Sequence, residues 1–361
     1  MGDPHILVAG ASGLVGRAAV ERFAAAERRV TAVSRRPPIA DHGATFVAVD
    51  LADPTACRAA FSGLGVTHVV YAALHEEPRL VDGWVDPAHV ARNGAMLANL
   101  MEAVDGPGGR LRHVSIVQGP KAYGVHAGSA ELPAREDRSE RRDIPNFYWA
   151  QEDYLKARQP GRDWRWTVFR PGMVIGQAIG SAMNFIAVVG VYGALLKARG
   201  EPLHYPGTMN LIAQPSDTDL MAHAFEWAMD NPAAANQIFN ITNGEVIALK
   251  TLWPAIAAAM GMEPGDDRSI DFTTFLPGAV AQWDVIAARH GLRAPAMAPF
   301  LAQSPQFANF CFSLGTDGPV PPGIMSTIKL RRSGFADWLD SEEMFAKWFA
   351  RYQRDGLLPP P

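Results

Sequence analysis

Through the first half of the chain, short apolar runs alternate with longer stretches of helical periodicity. The runs are His5–Ala9, Val30–Val33, Thr45–Val49, His68–Ala72, Leu111–Val117 and Trp166–Arg170. Each is flanked by polar or turn residues, the pattern of strands buried on both faces of a parallel sheet. Helical patterns fill the intervals, as at Val15–Ala26 and Ala95–Val104, and give the rhythm of repeated β-α-β units. The polar segment Ala127–Pro145 has no periodicity and reads as a surface loop. After Arg170-Pro171-Gly172 the alternation stops. An apolar helix at Met183–Lys197, a short strand around Gln237–Thr242, and helices at Leu249–Met260 and Ser341–Tyr352 follow. Proline-rich stretches at Ala294–Pro305 and Pro319–Pro322 read as packed loops.

The first apolar run leads into Gly10-Ala11-Ser12-Gly13-Leu14-Val15-Gly16, which opens the first helix. Glycines there let the turn close and let backbone N–H groups approach a pyrophosphate at the helix N-terminus. The spacing is GxxGxxG rather than GxGxxG, and it resembles that of short-chain dehydrogenases. The strand–turn–helix context supplies what a bare glycine pattern lacks. The expected fold class is α/β: a Rossmann-type doubly wound parallel sheet with a smaller, mostly helical C-terminal substrate domain. Residues 1–178, with a return segment near 211–245, are assigned to the NADP-binding domain. Residues 179–210 and 246–361 are assigned to the substrate-binding and capping region.

Candidate cofactor contacts begin with Gly10, Ser12, Gly13, Leu14, Val15 and Gly16. The second strand ends in Ser34-Arg35-Arg36, where NAD-selective sites carry an acid for the ribose hydroxyls. A hydroxyl and two guanidinium groups suit a ribose phosphate instead, so NADPH/NADP+ is the expected cofactor. Asp50 and Leu51 stand where the adenine edge would lie. Tyr71, Ala72 and Ala73 end the fourth strand; Val117 and Gln118 end the fifth; Pro171, Gly172 and Val174 follow the sixth. Such sheets bind their ligands at these strand ends.

Tyr148 lies in Asn146-Phe147-Tyr148-Trp149, and four residues later stands Glu152. Dehydrogenases that pair a catalytic tyrosine with a lysine one helical turn on have lysine there, and none of the seven tyrosines of this chain does. Lys121, just past the fifth strand, can reach a nicotinamide ribose and favour the phenolate of a nearby tyrosine, or it can be a plain surface-loop lysine. The residues alone do not choose between the two. Met183 and Asn184, with Trp149 and Phe335, are candidate pocket residues, although such side chains more often belong to a core.

Composition narrows the classes. With 361 residues, 48% hydrophobic and 19% charged, the chain can bury a sizeable core, and its net charge of −4 gives no reason to expect nucleic acid or an anionic membrane as partner. Two cysteines are too few for a disulfide framework. The ten histidines show no metal-ligand spacing, and His75, before Glu76-Glu77, reads as an exposed loop residue. No GxSxG elbow is present. Gly2-Asp3-Pro4 leads straight into a strand without a secretory pattern, so a cytoplasmic protein is expected.

Several motifs converge on one group. They are the Gly10–Gly16 turn, Gly119-Pro120-Lys121-Ala122-Tyr123, Asn146-Phe147-Tyr148 with Glu152-Asp153, and Arg170-Pro171-Gly172. Ser216-Asp217-Thr218-Asp219, Phe239-Asn240, Asn243-Gly244 and the Lys329–Phe335 region complete the set. With these motifs the chain resembles, over nearly its whole length, the progesterone 5β-reductase/iridoid synthase-like enzymes, which are extended short-chain dehydrogenases. The resemblance implies that Tyr148 and Lys121 are the catalytic pair. It also implies NADPH-dependent reduction of the C=C bond of an α,β-unsaturated carbonyl compound, an enone or enal. Trp149 stands where the family usually has a second tyrosine, and Pro120 departs from the family pattern beside the lysine. The alternatives are carbonyl reduction of a ketone on the same scaffold and a non-catalytic NADPH-binding regulator. A homodimer is compatible with the superfamily.

Overall fold

The computed structural model describes residues 3–361 apart from 41, 107, 129, 208 and 315–320. Seven strands form one parallel sheet: β1 (His5–Ala9), β2 (Arg29–Ser34), β3 (Thr45–Ala48), β4 (His68–Tyr71), β5 (His113–Val117), β6 (Arg165–Pro171) and β7 (Gln237–Ile241). Their order in space is β7-β6-β5-β4-β1-β2-β3. The direction of winding reverses at β1, so a crevice opens at the C-terminal ends of β1 and β4.

Side-chain alternation explains why both faces are covered. Along β1, Leu7 and Ala9 enter one core while Ile6 and Val8 enter the other. Helices α1 (Leu14–Ala25), α2 (Pro54–Phe61), α3 (Pro87–Val104), α4 (Phe147–Arg158), α5 (Phe185–Ala198), α6 (Thr218–Asp230), α7 (Leu249–Ala259) and α8 (Ser341–Arg354) are the longer helices that matter here. α1 and α6 pack together on one face of the sheet, and α2, α3 and α4 on the other. A third core surrounds α5, whose residues 185–196 are all buried against Trp253, Trp283, Trp348 and Tyr352. Among the described residues no helix is long and apolar enough to cross a membrane.

Two expectations need correction. β3 is not buried on both faces: it is the sheet's edge, and its end residues Thr45 and Ala48 are exposed because no strand lies beyond it. The 127–145 segment is not simply surface loop. Ala134, Glu136 and Ser139 are buried, Ala134 donates its N–H to Ile324 at 2.8 Å, and Glu136 accepts the Asn240 N–H of β7 at 2.8 Å. The segment is thereby strapped across the end of the sheet. Residues 328–335 also return to the sheet: Leu330 and Phe335 join its core beside Trp227 and Phe239. Of the Pro319–Pro322 stretch, residues 319 and 320 lie outside the described residues.

Candidate functional site

A cavity of about 630 Å³ runs along the C-terminal edge of the sheet. One end is the glycine turn. Gly10 has φ +84°, and a β-carbon there would lie 2.5 Å from the Ala72 carbonyl oxygen. Gly16 does not line the cavity; its place under the turn is forced, because a β-carbon would come within 2.2 Å of the Gly10 carbonyl oxygen. Gly13 caps α1 without a side-chain hydrogen bond, and the first turn carries no acid. The bare backbone donors and helix dipole at that end suit an anion such as a pyrophosphate.

The remaining predicted contacts divide clearly. Gly10, Ser12, Gly13, Leu14, Val15, Ser34, Arg35, Arg36, Asp50, Leu51, Ala72, Ala73, Val117, Gln118, Pro171, Gly172 and Val174 line the cavity. Tyr71 does not: its side chain points the other way along β4 into the core with Cys57, where burial pushes its hydroxyl pKa up. The two arginines differ. Arg36 is tied to the Gly180 carbonyl at 2.9 Å, whereas the exposed Arg35 guanidinium makes no hydrogen bond or ion pair among the described residues. Gly172 is also required by packing, since a β-carbon would meet the Gln214 carbonyl at 2.0 Å.

Tyr148 and Lys121 line the same cavity. Asn146 caps α4 by accepting the Tyr148 N–H at 3.1 Å, which fixes the tyrosine in the first turn of that helix. Gly119 leaves room for the hydroxyl: a β-carbon there would stand 3.2 Å from it. Lys121, on the 3-10 turn Pro120–Tyr123, holds its ammonium 4.5 Å from the Trp84 ring centre, 5.5 Å from Phe147 and 5.8 Å from Tyr148. Among the described residues it makes no hydrogen bond or ion pair through its side chain. Burial lowers the Lys121 pKa, and the Glu76 carboxylate opposes that shift. Burial, with Glu76 second, pushes the Tyr148 hydroxyl well above its ordinary range. Burial thus favours the neutral hydroxyl, a hydrogen-bond donor, over the phenolate.

The position four residues after Tyr148 has a different task. Glu152 lies behind the cavity wall and pairs with the fully buried Arg170 at 2.6 Å, and with Arg142 and Lys156 at 2.9 Å each. Arg170 also donates to Gln118 at 3.0 Å, to the Tyr123 hydroxyl at 3.2 Å and to Glu140 at 2.7 Å. One guanidinium thus joins the end of β5, the Lys121 turn and the Tyr148 helix.

Of the four weaker pocket candidates, only Met183 lines the cavity. Trp149 donates its indole N–H to Ile144 at 2.9 Å and packs beneath Arg142. Asn184 caps α5 and bonds Ala178 and the Tyr352 hydroxyl, each at 2.8 Å. Phe335 belongs to the sheet core. His75 is not the exposed residue expected; it lines the cavity and pairs with Glu77 at 3.1 Å.

Sequence reasoning missed Glu76, Trp84, His126 and the wall formed by Phe307 and Phe310. The first two sit in an irregular stretch after β4 that offered no periodicity, although paired acids directly after a strand end were a visible signal.

A family model described as "PRISE-like Rossmann-fold domain" matches residues 65–314. The chain is 28% identical over 374 residues to the 3-oxo-Delta(4,5)-steroid 5-beta-reductase of Arabidopsis thaliana, covering 98% of this chain and 92% of that one. It is 27% identical over 377 residues to an (S)-8-oxocitronellyl enol synthase of Nepeta cataria, with the same coverages. Among solved structures it is similar in fold to the UDP-glucose 4-epimerase of Thermus thermophilus in complex with NAD, with a TM-score of 0.67, 18% identity and coverage of 97% and 99%.

Proposed function

The chain belongs to the PRISE-like Rossmann-fold family, and on that premise we propose that it is an NADPH-dependent reductase of the C=C bond in α,β-unsaturated carbonyl compounds. The observation that carries this reading is the single cavity that joins the glycine turn to the Tyr148 hydroxyl and the Lys121 ammonium. The steroid reductase among the relatives supports the reaction class.

In this reading residues 1–178 and 211–245 hold the dinucleotide, and most of 179–210 and 246–361 cap it, with 328–335 returned to the sheet core. The glycine cradle and bare α1 terminus fit a pyrophosphate, and Arg35 is free to meet a ribose phosphate. When bound, the reduced nicotinamide supplies a hydride. The chain's own part is electrostatic. Tyr148, neutral and aimed into the cavity, donates a hydrogen bond to the substrate's carbonyl oxygen. That oxygen gains negative charge as the β-carbon is reduced, so the bond is stronger in the transition state than before it. Lys121 adds positive charge beside the tyrosine and a donor toward the ribose.

Removing one such donor costs about 2.7–4 kcal/mol of barrier lowering. Tyr148→Phe should therefore turn over about a hundredfold or more slowly while binding NADPH normally. The test is NADPH consumption with a panel of small enones and enals, with product identification. Saturated carbonyl product is the expected outcome. Allylic alcohol would reassign the reaction to carbonyl reduction, and near-wild-type turnover by Tyr148→Phe would refute the role of the tyrosine.

A further inference from the structure

Lys121 is half-buried, its ammonium packed among aromatic rings with no hydrogen-bonding partner among the described residues, an environment that favours the neutral amine. The carboxyl of Glu76 shares that environment. It lines the same cavity, its side chain is only 7% exposed, and neither oxygen finds a hydrogen bond. Trp84 links the two groups: Lys121 lies over the face of the indole, and the N–H edge favours the Glu76 carboxylate without closing a hydrogen bond. The nearest cationic candidate to Glu76 is His89 of α3, whose Nε2 is 3.9 Å away.

We propose that Glu76 is a positioning residue, the buried counter-charge that keeps Lys121 protonated inside its aromatic cage and so keeps it fit to support Tyr148. This rests on the reading of Lys121 given above. The other titratable groups facing the pair do not serve. His89 and His126 are lowered to about 4 by burial and by Lys121 itself, so they are neutral at physiological pH. Glu77 pairs with His75. Tyr148 is held neutral. Glu76 alone among the described groups is a carboxylate whose charge supports the ammonium. Acid and lysine displaced from their ordinary ranges toward each other, in one cavity, are the arrangement by which active sites tune a protonation state. A carboxylate facing an ammonium in a poorly solvated cavity changes the lysine's ionisation constant by about tenfold or more.

The test reads Lys121 directly. The chain has six lysines, so carbon-13-labelled lysine gives a spectrum simple enough to titrate by NMR, and Lys121→Met identifies the signal. In Glu76→Gln the Lys121 pKa should fall by one unit or more, and Glu76→Asp should restore part of the fall. The alkaline limb of the turnover–pH profile should move with it, which a merely structural role for Glu76 would not produce. An unchanged Lys121 pKa in Glu76→Gln would overturn the proposal. If that variant fails to fold, Glu76→Met, uncharged and of similar volume, serves in its place, and an unchanged Lys121 pKa there would do so. The NMR result stands whether or not any enone is reduced, so failure of the enone reading is seen separately, as absence of product.

Discussion

Replacing Glu76 by glutamine keeps the side chain's shape and removes its charge, and the consequence for stability can be worked out. Burial pushes the Glu76 carboxyl from its ordinary 4.5 up to about 7, against the pull of Lys121 and the Trp84 N–H, with Glu77 adding to the rise. Between those two values the folded protein holds a proton that the unfolded chain has released. Stability therefore falls as pH rises through that window: the contribution is fully present below 4.5 and lost above 7. At about 1.4 kcal/mol per pH unit, the full loss is about 3.5 kcal/mol. Glu76→Gln has no such dependence. With an unfolding entropy of about 2.1 cal/mol/K per residue, the variant should melt about 4.5 °C higher than wild type at pH 8.5 and only about 2 °C higher at pH 5.5. His89 and His126 stay neutral across this range and cancel from the comparison, while the fall of the Lys121 pKa in the variant acts in the same direction, adding to its gain as pH rises. Scanning calorimetry of the cofactor-free protein at the two pH values is the assay. A gain that does not grow with pH, or a lower melting temperature at pH 8.5, would refute the reasoning. A charge that weakens the fold at neutral pH while supporting Lys121 is the kind of stability cost active sites carry.

Three further outcomes follow from the geometry. Arg35→Ala should weaken NADPH by about tenfold or more, the worth of charge-assisted hydrogen bonds to one phosphate, and leave NADH nearly unchanged; equal losses in a fluorescence titration would remove Arg35 from the phosphate site. Arg170→Met takes from Glu152 its one buried partner, leaving only the part-exposed Arg142 and Lys156, and should cost about 3 kcal/mol, with part recovered by adding Glu152→Gln; thermal unfolding of the single and double variants checks this. Gly10→Ala must adopt a left-handed φ with its β-carbon against the Ala72 carbonyl, so cofactor affinity measured by titration should drop at least about tenfold.

What the sequence revealed follows from the range of the forces involved. β1, β2, β4, β5 and β6 were legible because strands buried on both faces must be apolar throughout, and the glycine turn because backbone contacts at Gly10 and Gly16 exclude every other residue. Met183 and Asn184 are adjacent in sequence, yet one faces the cavity and the other caps α5; only the helix start, fixed by tertiary packing, separates them. Trp149 and Phe335 were equally unreadable, since an aromatic side chain in a wall and one in a core have the same composition and the same flanks. Glu76 and Trp84 were missed for another reason. Their meaning depends on Lys121, more than thirty residues away, and no local pattern encodes that pairing.

The acid four residues after Tyr148 and the lysine at 121 are parts of one arrangement. Arg170 at the end of β6 is fully buried and holds Gln118, Tyr123 and Glu152 at once. A lysine at position 152 would set a second cation against that guanidinium where neither has water, at a cost of several kcal/mol. With Arg170 in place, an acid suits the position one turn after the tyrosine and a lysine does not, so an ammonium beside Tyr148 comes from another element. The turn that Arg170 steadies through Tyr123 supplies it, because Lys121 precedes that tyrosine by two residues on the same 3-10 turn. In the proposed mechanism Glu152 is then the counter-ion of the guanidinium that steadies the turn carrying Lys121.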